Sequence, residues 1–325
     1  MSLLNGVKKY KSVIDILADS VGGGRFSMYI DSVWARIRYG CVLNHYVVGN
    51  FYKRSACERK KIYTYKDWYK VVATANKADA IHYLKEKVDF NTYFADFVGR
   101  DWLYSKTMKF EDFIVFCKKH DCAIVKPMSG LEGDGVVLRE MPRTEDEMKK
   151  AFEDYCSSDV LIEEKIVQHP DMVFGNKSVN TIRVYTARHA DTGMVTIIKT
   201  VVRAGIGESI VDNSHSGGCA YEIDQELGYI ISPYYAANGK SSYIHPGTEI
   251  CMLGRKIPYW KEVRDICERA ADLLPDCRYI GWDVAITKDG PLLIEGNHLP
   301  DLDMIEFVGS YGYKEKIMKG LGLWK

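Results

Sequence analysis

The residues best equipped for chemistry lie in the run WDVAITKDGPLLIEGN (282–297). Apolar stretches at 279–287 and 292–295 flank a Lys288-Asp289-Gly290 turn, which predicts a hairpin with Asp283 and Glu295 converging at one end. Asn297 stands two residues beyond Glu295, and alternate residues of a strand share a face. Two carboxylates and one amide oxygen make the hard oxygen donor set that Mg²⁺ prefers, with positions left for water and phosphate oxygens. Mn²⁺ fits the same donors. A surface hairpin with scattered acids has the same pattern, so the assignment needs partners elsewhere in the chain.

Two further runs offer such partners. In KPMSGLEGDGV (126–136), Lys126 ends a short apolar strand where its ammonium can meet a phosphate oxygen. Gly130, Gly133 and Gly135 let the following backbone come close to phosphates. The run is neither GxxxxGK[ST] nor GxGxxG, and an ordinary glycine hairpin also fits it. In VLIEEKI (160–166), a strand followed by a chain reversal can present backbone groups to an adenine edge, with Ile166 over its face.

Together these segments resemble the ATP-grasp superfamily in order, spacing and chemistry. Lys77 precedes Lys126 by 49 residues, Glu163 follows it by 37, and Asp283 and Glu295 are 12 apart, similar to the intervals of D-alanine–D-alanine ligase. The resemblance implies ATP and Mg²⁺ as cofactors. It implies Lys77, Lys126 and the loop glycines on the phosphates, Glu163, Glu164 and Ile166 around adenine, and Asp283, Glu295 and Asn297 on the metal. Lys85 and Lys87 lie close enough to Lys77 to compete for its role. The middle of the chain, with Asn180-Thr181-Ile182-Arg183-Val184, Arg203 and 213–218 (NSHSGG), resembles the DIRV…R…N…GG run of the ribosomal-protein glutamate ligase branch. That likeness implies Arg203 over the transferring phosphate and Arg183 on phosphate or a substrate carboxylate; His215 is a candidate proton acceptor for an incoming amine, a structural role being the alternative for a lone loop histidine. The departure is Asn180-Thr181, where that branch has an Asp. The run 38–68 is similar to the helical leader of sugar-transfer-associated ATP-grasp proteins, relatives of the teichuronopeptide-type enzymes linked with surface polysaccharides.

The elements that must position these residues are legible in outline. Residues 1–75 read as a helical lobe in which Val33, Trp34, Ile37 and Cys41 recur at helix-like intervals. From about Asn76 strands and helices alternate. Strands are expected at 121–126, 136–138, 160–166, 181–187 and 195–202, and helices at 144–155, capped by Thr144 with Glu147, and at 258–274. The expected fold is α/β (α+β): an ATP-grasp pair of lobes, 76–165 and 166–325, preceded by the helical lobe 1–75.

Composition limits the rest. Apolar residues make up 46% and charged residues 27% of 325 positions, ordinary for a globular chain. The start lacks a secretory signal, so a cytoplasmic location is expected. Nine cysteines without CxxC spacing argue against a disulfide framework or a zinc site. The net charge is zero, yet residues 1–75 hold 13 Lys/Arg against 5 Asp/Glu. A basic lobe suits an anionic partner such as phospholipid headgroups, a pyrophosphate-linked sugar (a lipid-linked glycan) or nucleic acid, and a solvated helical surface carries the same charge; no nucleic-acid module is recognisable. The expected activity is a carboxylate–amine ligase working through an acyl phosphate. Its small-molecule acid and amine would be an amino acid, a sugar or a nucleotide-sugar. A kinase using the same ATP site and a non-catalytic ATP-binding scaffold are the rivals.

Overall fold

The computed structural model describes residues 3–129, 135–176, 178–207, 218–235 and 241–324. Leu3–Val21 (α1) and Arg25–Tyr39 (α2) form a helical hairpin broken by three consecutive glycines, the first with φ 68°. Leu43–Val48 (α3), Ala56–Lys61 (α4) and Tyr65–Ala75 (α5) complete the lobe. Helices α4 and α5 each begin with a reciprocal capping box, Ser55 with Glu58 and Thr64 with Asp67. Ile14, Leu17, Met28, Ala35, Cys41, Tyr46 and Phe51 make the lobe's core.

The buried face of α2 is not its most apolar one. Met28, Ser32 and Ala35 face inward, whereas Trp34 and Ile37 are 55% and 70% exposed. Periodicity predicts a helix but not which side is buried. Ser32 is tolerated inside because its hydroxyl accepts from Tyr10 at 3.0 Å and donates to the Tyr29 carbonyl at 2.8 Å.

Ala78–Lys85 (α6), Lys87–Tyr93 (α7) and Ala95–Val98 (α8) follow. A small antiparallel sheet comes next, from Trp102–Tyr104 (β1), Cys122–Pro127 (β2), Val137–Glu140 (β3) and Val160–Glu164 (β4), in the order β1-β4-β2-β3. Phe110–Lys119 (α9) and Glu145–Ser157 (α10) pack on it around Phe113, Phe116, Met148 and Ile162. The capping box expected at Thr144 and Glu147 is present.

The larger sheet is antiparallel and holds Thr181–Arg188 (β5), Val195–Ala204 (β6), Cys219–Glu222 (β7), Tyr279–Thr287 (β8) and Gly290–Asn297 (β9), in the order β7-β6-β5-β8-β9. Trp260–Leu273 (α11) and α6–α8 share one core with it. Leu302–Phe307 (α12), Lys314–Gly320 (α13) and α5 form a second. The central strands β5 and β8 are therefore buried on both faces and read as near-continuous apolar runs. The helices between residues 78 and 98 pack on this larger sheet, not on the small one that follows them in sequence. Among the described residues, no helix is long and apolar enough to cross a membrane.

Trp282 ties these layers together. It is fully buried, stands edge-on to Phe94 and donates its indole N–H to Thr186 Oγ1 at 2.9 Å. Trp282→Ala should cost about 3–5 kcal/mol, as large aromatic truncations do. Urea denaturation at pH 7 measures it, and an unchanged midpoint would contradict this packing.

Candidate active site

Antiparallel register sets the site. Arg183 on β5 lies opposite Asp283 on β8, and Asp283 lies opposite Glu295 on β9. Arg203 on β6 pairs with Thr181, two residues along β5 from Arg183, so all four side chains share a face. The Arg183 fork grips Asp283, with Nε on Oδ1 and Nη2 on Oδ2 at 2.9 Å. Arg203 Nη1 donates to Oδ2 at 2.7 Å. Burial works against the Asp283 charge, yet the two guanidinium groups hold its carboxyl well below the ordinary carboxylate range.

Glu295 differs from its neighbour. The residue is exposed at the strand end, while neighbouring protein displaces water from around the carboxyl. That loss of water, together with the negative charge of Asp283, raises its carboxyl above the usual value. Asn297 Nδ2 donates to Glu295 Oε1 at 3.2 Å, which leaves Asn297 Oδ1 as a third oxygen donor. The donor set fits Mg²⁺: three hard oxygens gather at one strand end, and the outer carboxylate has less positive charge around it than it can use.

A second charged group lies at the end of the small sheet. Strand β2 runs beside β4, bringing Lys126 to Glu163, and the two form an ion pair. Arg100 donates to the same carboxylate at 2.6 and 3.0 Å, and Asn91 Nδ2 at 3.1 Å. Glu163 is buried, which opposes its charge, but Lys126 and Arg100 hold it below the ordinary glutamate value of 4.5. Arg100 also donates to the carbonyls of Leu293 at 2.7 Å and Ile294 at 3.3 Å. It thereby joins the Lys126 group to the backbone just before Glu295. Spacing in the sequence did not single out Arg100 or Asn91, because nothing local distinguishes them from surface residues.

The other expected positions fall unevenly. Gly135 has φ 73°, and a Cβ there would stand 2.8 Å from Pro127, so glycine is required just before β3. Gly130, Gly133 and His215 lie outside the described residues. Glu164 accepts from the Asp101 N–H at 3.0 Å, and Ile166 is half-buried in the link that leaves β4. Lys77 forms an ion pair with Asp276 at 2.6 Å. It is Lys87 that lies beside the end of β2, donating to the Met128 carbonyl at 3.2 Å. Lys85 sits near enough to His298 to help lower that imidazole's pKa, after burial. Asn180 is fully buried and bonds to the Met172 carbonyl, Asn176, Gln168 and the Gly205 N–H, a structural role that departs from a ligand contact. Asp101, His120 and Glu164 also cluster, but the Lys119 ammonium already pairs with Asp101.

A family model described as sugar-transfer associated ATP-grasp matches residues 84–319. The chain belongs to this ATP-grasp family. No curated protein matches it. It is similar to the solved ATP-grasp ligase PsnB complexed with minimal precursor, Mg and ADP, at 17% identity and a TM-score of 0.41, over 76% of this chain and 61% of that one. It is also similar to D-alanine–D-alanine ligase from Helicobacter pylori, at 13% identity and a TM-score of 0.46, over 77% and 64%. For the enzyme from Bacillus anthracis the values are 15%, 0.42, 73% and 65%. The chain thus spans under two thirds of each of these relatives.

Glu163→Gln would leave Lys126 and Arg100 facing a neutral amide in a buried position. Removing one partner from a buried pair costs about 3–5 kcal/mol. Because the folded-state carboxyl lies below 4.5, its stabilisation is complete above that pH and fades as pH falls toward the depressed value. Denaturant titrations between pH 7 and pH 3 should show a flatter acid limb in the variant. Parallel limbs would remove Glu163 from this role.

Proposed function

We propose that the chain is an ATP- and Mg²⁺-dependent carboxylate–amine ligase. The observation that supports this reading is that Arg100, paired with the Lys126–Glu163 group, bonds to the β9 backbone at Leu293 and Ile294, just before Glu295 and Asn297, while Asp283 opposite Glu295 is held by Arg183 and Arg203. One phosphate-binding lysine and one oxygen donor set are thereby held in a fixed relation.

In this reading Asp283, Glu295 and Asn297 hold Mg²⁺, which when bound neutralises phosphate charge. Lys126 and Lys87 contact ATP phosphate oxygens, with the glycines of 130–135 closing over them. The backbone of Glu164 to Ile166 reads the adenine edge. Arg183 orients a phosphate or carboxylate through its planar fork. Arg203 stabilises negative charge as it develops on the transferring phosphoryl group. The γ-phosphoryl group passes to a bound carboxylate, giving an acyl phosphate and ADP. An amine then attacks the acyl carbon, its nitrogen forming the amide bond as inorganic phosphate departs, and His215 accepts the released proton. The work assigned to the protein is positioning and charge stabilisation.

An amino acid joined to an amino sugar or sugar acid of a surface glycan suits a family linked with sugar transfer and a lobe rich in Lys and Arg. A cytoplasmic location would supply ATP and Mg²⁺. The deciding experiment is ADP release across pairs of acids and amines, with mass spectrometry of the product. Release that requires both substrates supports the ligase. A phosphorylated product accumulating without an amine would make the chain a kinase.

Two sets of variants separate the roles. Glu295→Ala should lose Mg²⁺-ATP turnover while keeping the wild-type circular dichroism. Arg203→Ala should lower kcat more than it raises KM for ATP, because its partner charge forms during transfer. Lys87→Ala should raise KM for ATP about tenfold, roughly the loss of one charged hydrogen bond, and Lys77→Ala should leave it unchanged. The reverse order would return the phosphate role to Lys77.

A further inference from the structure

The outward face of α2 is apolar along its whole length. Phe26, Ile30, Trp34 and Ile37 recur at i, i+4, i+8 and i+11 and are 80%, 52%, 55% and 70% exposed. That spacing puts them in one stripe opposite the buried face made by Met28, Ser32 and Ala35. A contiguous stripe that includes Trp and Phe is uncommon on a solvated surface and marks a docking face. Arg25 begins the helix, and Arg36 and Arg38 lie at its far end. Lys8, Lys9 and Lys11 are exposed on α1, with Lys11 paired to Asp15 at 3.7 Å as Arg25 is to Asp19 at 2.6 Å.

The stripe leads to a cationic cavity. Arg38, one turn beyond Trp34, lines a recess of about 200 Å³ together with Arg59, Lys60, Lys66 and Lys314. Arg59 is held by Asp31 at 2.6 and 2.8 Å, and Lys314 by Asp67 at 2.8 Å. Arg38, Lys60 and Lys66 form no ion pair among the described residues, so their charges are offered to the cavity. This geometry is independent of the nucleotide site.

We propose that α2 docks on an anionic phospholipid surface, with Phe26, Ile30, Trp34 and Ile37 in the interface and a lipid phosphate in the Arg38–Lys60–Lys66 cavity. Charge complementarity selects this occupant. The apolar stripe is flanked by Arg36 and Arg38 and by Lys8 and Lys9 of α1, cations without an ion pair among the described residues, the pattern of helices that lie in the plane of an anionic membrane. Trp favours the headgroup boundary, and basic residues near such a surface gain attraction that falls away within a Debye length. A second copy of the chain would set the same positive rims against each other.

The test is sedimentation of the full chain with vesicles of phosphatidylglycerol or of phosphatidylcholine, at low and high salt. The wild type should partition onto phosphatidylglycerol at least about tenfold more strongly than onto phosphatidylcholine, and salt should weaken it. Phe26→Ser with Trp34→Ser, and separately Arg38→Glu with Lys66→Glu, should each lower the partition about tenfold or more, since stable attachment needs both signals. All four positions are at the surface, so both variants should keep the wild-type thermal midpoint. Equal binding to the two lipids, no binding to phosphatidylglycerol, or variants that bind like the wild type would overturn the proposal. So would a wild-type dimer in sedimentation velocity that Phe26→Ser with Trp34→Ser converts to monomer without any vesicle binding.

Discussion

A carboxylate taken out of water must be matched by positive charge, and Glu163 makes that requirement the organising constraint of this molecule. Its two cations come from different places in the chain: Lys126 from the neighbouring strand of the small sheet, and Arg100 from the segment that enters that sheet. Arg100 is also bonded to the backbone of β9 in the larger sheet. The small sheet therefore cannot tilt freely away from the larger one without stretching bonds to a buried guanidinium. Lys126, at the end of β2, is thereby tied through Glu163 and Arg100 to the backbone of β9.

The same logic separates the two acids of the hairpin. Asp283 is held charged by a pair of arginines, so it remains an oxygen donor even in a buried setting. Glu295 is the outer member, crowded by protein on one side and by the Asp283 charge on the other, and open to solvent beyond. Because Arg183 and Arg203 bond to Asp283 and not to Glu295, the two neighbouring carboxyls are shifted in opposite directions.

Much of this was legible in the sequence because it is local. The β8–β9 hairpin, the cap at Thr144 and the paired strands β5 and β6 follow from alternation, turn residues and capping chemistry over short distances. Asp283, Glu295 and Asn297 could be proposed together because one turn and an alternating strand place them. Arg100 and Asn91 could not, since their partner Glu163 is 63 and 72 residues away, and long-range pairing leaves no periodic trace. Lys77 and Lys87 carry the same charge ten residues apart, and only the packing of α6 and α7 decides which one meets Met128. The outward phase of α2 was hidden for a different reason. A serine on the inner face and a tryptophan on the outer one reverse the usual expectation for burial.

That reversal connects the helical lobe to the site. The lobe bearing the exposed stripe also holds the chain just beyond Asn297: Trp68 donates its indole N–H to the Pro300 carbonyl at 2.8 Å, and His45 meets Asp303 at 2.8 Å. The Tyr63 N–H donates to Glu306 at 2.8 Å, fixing the start of α5 against α12. The helical lobe is thus bonded to the segment that follows Asn297, and the buried Glu306 carboxylate is the pin between α5 and α12. A displacement of the lobe would have to break that buried contact, so the lobe and the end of β9 are expected to move as one body.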